Sequence, residues 1–179
     1  MQQMSYLKRS IITAVCIALC LVLPFAFHAI PQSGLILLPM HIPVLLCGLI
    51  CGGFFGLICG VAGTLLSHLF TGMPLVPMLP AMILELAVFG LVAGLVMTFL
   101  RTKKVYLDLY IALVAAMLLG RIVGGAAQAL FFSRGAYSLA IWTTTYFVTA
   151  LPGIAIQLVL LPTIVFALMK ARLIPERYI

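Results

Sequence analysis

PMHIPVLLCGLICGGFFGLICGVAGTLLSHLFTGMPLVPMLPAMILELAVFGLVAGLVMTFL, residues Pro39 to Leu100, decides the fold of this chain. The stretch is almost wholly apolar and dense in glycine. It is broken once by the proline-containing turn TGMPLVP at 71–77. A water-soluble core has no use for an apolar run of this length, whereas a bilayer does, because about 20 apolar residues cross its hydrocarbon layer. Within the run stand two histidines, His41 and His68, and one acid, Glu85. Polar groups inside a membrane are costly, so these are the first places to look for function.

The rest of the chain agrees. It has 179 residues, of which 65% are hydrophobic and 7% charged, with a mean hydropathy of +1.33. That composition belongs to a polytopic membrane protein, read as one integral membrane domain over residues 1–179 with no room for a separate soluble catalytic domain. The net charge of +7 is what cytoplasmic flanks of membrane spans supply, so it does not call for nucleic acid. The N-terminal run imitates a signal peptide, with Lys8 and Arg9 ahead of an apolar segment. Its residues 26–29, Ala-Phe-His-Ala, offer no clear small-x-small cleavage site, so a retained first span is expected.

Six helices are expected, at about 10–27, 40–52, 54–70, 78–100, 106–132 and 140–169. Gly52-Gly53 marks a tight turn, and Pro152-Gly153 and Pro162 are kink sites in the last helix. The second helix is short, so it is tilted, broken or only partly spanning. The pentapeptide GLICG occurs at 48–52 and 56–60, too short a match to establish a structural repeat. With six spans both termini share one side. That side collects Lys8, Arg9, Arg101, Lys103, Lys104, Lys170, Arg172 and Arg177, eight of the ten basic residues. The opposite side has only Arg134, and Arg121 lies within a helix. The positive-inside rule therefore places both termini in the cytoplasm. The loops 28–39, 71–77 and 133–139 then face outward.

Arg121 is the most informative residue. A cation within a span costs about 2.5–3.5 kcal/mol on insertion scales. Glu85 is the one acid within a span that can offset it, either as a structural pair between two helices or with both groups contacting a solute. Arg121, Gly124 and Gln128 fall on one helical face at i, i+3 and i+7, and the glycines there leave space beside the polar tips, as a ligand pocket requires. His41 and His68 lie near the outer ends of their helices and can donate to the same solute, with His28 a weaker candidate. Trp142 and Tyr146, at i and i+4, share a face on which a flat ring can stack. The five cysteines, at 16, 20, 47, 51 and 59, read as small buried packing residues, and no metal site is assigned. No HExxH, Walker A or GxSxG sequence is present, so the chain is read as no enzyme.

The block from Pro39 through Leu95 resembles the substrate-binding S components of energy-coupling factor (ECF) vitamin transporters, and the six-helix plan extends the likeness over nearly the whole chain. Ala14-x-x-x-Ala18 is similar to the small-residue motif by which such proteins dock a shared transmembrane coupling subunit. The resemblance implies a partner module completed by a pair of cytoplasmic ATPases, so that ATP is used by the partners and no cofactor is bound by this chain. It also implies residence in a prokaryotic plasma membrane. The implied mechanism is capture of a micronutrient at the outer face, then toppling of the S component and inward release. The polar residues suit a small water-soluble B-type vitamin or precursor. Pantothenate offers a carboxylate for Arg121. Pyridoxine or hydroxymethylpyrimidine offers a flat heterocycle for Trp142 or Tyr146 and hydroxyls for His41 and Glu85. Two other classes are weighed. One is a nickel or cobalt carrier, whose amino-terminal Met-His the internal Met40-His41 resembles without a free amino group. The other is a structural or assembly membrane protein without a small-molecule ligand.

Overall fold

The computed structural model describes residues 4–27, 33–100, 102, 104–131 and 138–174. All regular structure among them is helical: α1 (Tyr6–Ala26), α2 (Ser33–Ile36), α3 (His41–Cys51), α4 (Gly53–Thr71), α5 (Leu79–Phe99), α6 (Val105–Phe131), α7 (Leu139–Thr143), a π-helical turn (Thr144–Val148) and α8 (Leu151–Lys170). Five of these, α1, α4, α5, α6 and α8, are long and apolar enough to cross a membrane. The chain is thus an all-helical protein with the make-up of a multi-pass membrane protein. The exposed Leu, Ile, Val and Phe side chains along α1, α4, α6 and α8 are what helices facing lipid present.

The short second helix of the six-helix plan is α3, and it forms the centre of the bundle. Nine of its eleven residues are buried, and it packs on α1, α4 and α5. At 1.5 Å per residue it is only about 16 Å long. Its end is set by Gly52, whose φ of +96° suits glycine alone and lets α4 begin at once.

The expected single helix over 140–169 is instead two segments. Ser138 caps α7, its Oγ accepting from the Ile141 N–H at 3.3 Å. The turn then widens, and the Thr149 N–H donates to the Thr144 carbonyl five residues back at 2.8 Å. Thr149 and Ala150 break the helix before Pro152, which lacks an N–H and is tolerated in the first turn of α8. The other proline named as a kink site, Pro162, lies inside α8 without ending it.

Backbones meet directly where α4 crosses α5. A Cβ on Gly90 would lie 2.2 Å from the Gly56 carbonyl oxygen, and one on Gly94 would lie 2.0 Å from the Gly53 nitrogen. Gly48 and Gly56, the leading glycines of the two GLICG copies, both abut the Gly90 carbonyl, at 2.4 and 2.3 Å from an added Cβ. The two copies therefore share one packing role. Small residues of this kind let membrane helices approach closely enough for dispersion forces to hold them.

The ends of the bundle are also joined. Lys8 donates through Nζ to the Leu173 carbonyl, which brings the first turn of α1 to the chain beyond α8. At the other end, α8 begins against the segment after α2, where a Cβ on Gly153 would lie 2.6 Å from the Ile36 carbonyl oxygen. Of the expected outward loops, 28–32 and 132–137 lie outside the described residues. The loop after α4 is held by His68, whose Nδ1 lies 2.7 Å from the Pro74 carbonyl oxygen.

Gly90→Ala forces the α4–α5 backbones apart and should cost about 1–3 kcal/mol, the range for overpacking a tight core. Thermal unfolding in detergent should show a clear fall in Tm. Gly34→Ala, where an added Cβ meets nothing within 4 Å, serves as the control and should leave Tm unchanged.

Candidate functional site

Four polar side chains are buried where α3, α5, α6 and α8 come together. His41 opens α3, Glu85 lies in the second turn of α5, Arg121 is in the middle of α6, and Gln157 is in the second turn of α8. Their exposures are 2%, 6%, 2% and 0%, so none of the four relies on bulk water. Such burial requires partners, because a buried unsatisfied group loses its hydration without return.

Glu85 finds its partner across the bundle. Its Oε1 lies 3.6 Å from His41 Nε2, within ion-pair reach and beyond hydrogen-bond length. His41 also packs edge-on against Phe89, one turn beyond Glu85 on α5, with ring centroids 5.1 Å apart at 64°. Of the two alternatives for Glu85, the structural pair with Arg121 is not the ion pair seen; His41 takes that place. Glu85 still acts on Arg121 through its field, but the ion pair recorded at the carboxylate is with the imidazole.

Arg121 is held by aromatic groups from the segment after α6. Its Cζ lies 5.7 Å from the Phe147 ring centroid, a cation–π arrangement. Its backbone carbonyl accepts from the Trp142 indole Nε1 at 3.2 Å. Trp142 and Phe147 touch each other as a T-shaped pair with centroids 5.2 Å apart. Sequence spacing suggests a Trp142–Tyr146 platform at i and i+4. The π turn changes that register, because widening by one residue brings positions five apart onto one face. Phe147 therefore takes the place beside Trp142, while Tyr146 is half-buried within electrostatic range of Arg121.

The glycines of α6 have a different role from the one their spacing suggests. The space beside them is filled by side chains from neighbouring elements. An added Cβ at Gly120 would fall 2.0 Å from Phe89 Cδ1, at Gly124 3.0 Å from Glu85 Oε2, and at Gly125 2.0 Å from Trp142 Nε1. They let Phe89, Glu85 and Trp142 close on α6 around Arg121.

Several buried polar atoms nevertheless lack a hydrogen-bond partner: Nε and Nη2 of Arg121, both ring nitrogens of His41, and Oε1 of Gln157. Gln157 Nε2 donates to the Leu38 carbonyl at 3.4 Å. Gln157 and Phe147 carry no motif and escape sequence reasoning. The one sequence signal for Gln157 is an amide in an otherwise apolar helix. Of the remaining expected residues, Gln128 is half-buried on α6 and His68 is engaged by its own loop. His28 lies outside the described residues. Ala14 and Ala18 are exposed on α1. All five cysteines are buried free thiols, and Cys47 Sγ donates to the Phe55 carbonyl at 3.5 Å. Among the described residues, no three His, Cys, Asp or Glu side chains gather as a metal-binding group.

A family model described as "ECF transporter, substrate-specific component" matches residues 8–171. Comparisons with curated proteins and with solved structures found no match. The family match takes in every element of the bundle except the first two residues of α1, and all four buried polar residues. It implies a substrate-binding subunit that works with the components of an ECF module. This multi-pass chain belongs to the family of ECF transporter substrate-specific components, the S components.

Proposed function

We propose that this S component captures a small water-soluble B-type vitamin or vitamin precursor at the outer face of a prokaryotic plasma membrane, as a single membrane domain with both termini in the cytoplasm. Pantothenate, pyridoxine and hydroxymethylpyrimidine define the chemical range. The observation that carries the reading is Arg121, a fully buried cation with two donors lacking partners. Such a group is expensive in a purely structural bundle and useful in one that receives a polar solute. Glu85 on α5, within ion-pair reach of His41 on α3, and His41 itself supply further polar contacts. Trp142 and Phe147 supply apolar faces.

In this reading His41, Glu85, Arg121 and Trp142 form the inner contacts, with Gln128, Tyr146 and His68 nearer the mouth. Ala14 and Ala18 dock the coupling subunit. Their exposure on α1 supports that role, because small side chains permit close approach of a partner helix. The chain itself binds no cofactor. ATP is hydrolysed by the ATPases of the module, and the coupling subunit converts that work into toppling of this chain and inward release.

Thermal unfolding of the detergent-purified protein against B vitamins, their precursors and divalent metals tests the reading. A solute at 100 times its Kd adds about 2.7 kcal/mol of stability, so one vitamin should raise Tm distinctly. A flat response, with no small molecule co-purifying by mass spectrometry, refutes capture. Glu85→Gln and Arg121→Ala should each weaken solute binding at least about tenfold in folded protein, as expected when a charged hydrogen-bond partner is removed. Titration calorimetry that finds both affinities unchanged removes these residues from the site.

A further inference from the structure

We infer that the captured solute carries a single carboxylate, seated side-on against the Nε and Nη2 edge of Arg121. This rests on the capture reading above and narrows its solute to small organic monoanions. The two Arg121 nitrogens without partners, Nε and Nη2, are the donors on one edge of the guanidinium, and their N–H bonds run parallel. That spacing matches the two oxygens of a carboxylate and gives the bidentate fork that arginine forms in its strongest pairs.

The polar and aromatic groups nearby are engaged in other contacts. Arg121 Cζ lies over the Phe147 ring, 5.7 Å from its centroid. Trp142 is tied to the Arg121 backbone carbonyl and packs against Gly125. Glu85 is drawn to His41 at 3.6 Å and is pressed against α6 at Gly124. A cation that is 2% exposed, with two donors on one edge lacking partners and the nearby Glu85 carboxylate within ion-pair reach of His41, is matched by one external negative charge. A dianion such as a phosphate monoester leaves excess charge buried, and uncompensated buried charge costs several kcal/mol. A neutral solute leaves the fork unpaired.

The test uses matched solutes on the intact protein, so it does not depend on any variant folding. Pantothenate is paired with panthenol, nicotinate with nicotinamide, and biotin with its amide. Pyridoxine, hydroxymethylpyrimidine and pyridoxal 5′-phosphate complete the set, and small molecules co-purifying from the expressing cells are identified by mass spectrometry. The expected result is that the solute bound most tightly, or carried through purification, is a monocarboxylic acid, and that its neutral counterpart binds at least about a hundredfold more weakly, as loss of a buried charge partner dictates. Arg121→Lys keeps the charge but loses the fork, and should weaken the acid at least about tenfold in protein that still unfolds cooperatively. A neutral or phosphorylated solute bound as tightly as any acid overturns the carboxylate assignment and leaves capture standing. Acid binding indifferent to Arg121→Lys overturns the side-on seat. An absence of any bound or co-purifying solute takes down both readings together.

Discussion

A guanidinium withheld from water in the middle of a helix bundle dictates what its neighbours must be. Inserting such a cation costs about 2.5–3.5 kcal/mol. A desolvated cation–π contact, as Phe147 makes with Arg121, returns about 2 kcal/mol or more. Glu85 acts on it through its field while being paired with His41. Each buried donor left empty costs a further 1–3 kcal/mol or so, and Arg121 has two. The contacts made within the chain therefore leave part of that cost unoffset.

The frame that holds this cation in place is built from backbone contacts. α4 and α5 meet through Gly56 and Gly90, and α3 lies buried between them and α1. Helices packed this closely cannot shift past each other without breaking many short contacts. The three glycines of α6 extend the same device to the site, bringing Phe89, Glu85 and Trp142 onto the helix that carries Arg121. The segment that supplies the aromatic cover is built differently. It combines a π turn with a break at Thr149 and Ala150 ahead of α8. π turns are uncommon and concentrate at functional sites, and here the extra residue per turn is what sets Phe147 against Trp142.

Much of the candidate site's polar content was legible before any coordinates. Arg121, Glu85 and His41 stand out because charge is rare in apolar helices and must be matched. Their pairing was not legible. Glu85 meets His41 on α3, a contact 44 positions away in the chain, because the glycine crossings bring α3 and α5 together at that level. That Phe147 touches Trp142 was not legible either, because an α-helical period pairs Trp142 with Tyr146 and these residues adopt a π turn. Gln157 and Leu38 were invisible for a different reason. Their hydrogen bond joins residues 119 positions apart and follows only from how α8 lies against the segment after α2.

The sequence by itself determined the class of the protein. Its apolar length, its basic residues, its glycine-dense central stretch and its few intramembrane polar groups follow from the cost of moving charge and backbone into hydrocarbon, and that cost acts on composition directly. It was also enough to identify an S component, which the family match over residues 8–171 establishes. The tertiary structure decided which polar group meets which. That choice depends on helix crossings set by backbone contacts at Gly48, Gly56 and Gly90, on side chains closing against Gly124 and Gly125, and on one widened turn after α7. Pairing of this kind is a property of three-dimensional packing, so no periodicity along the chain records it.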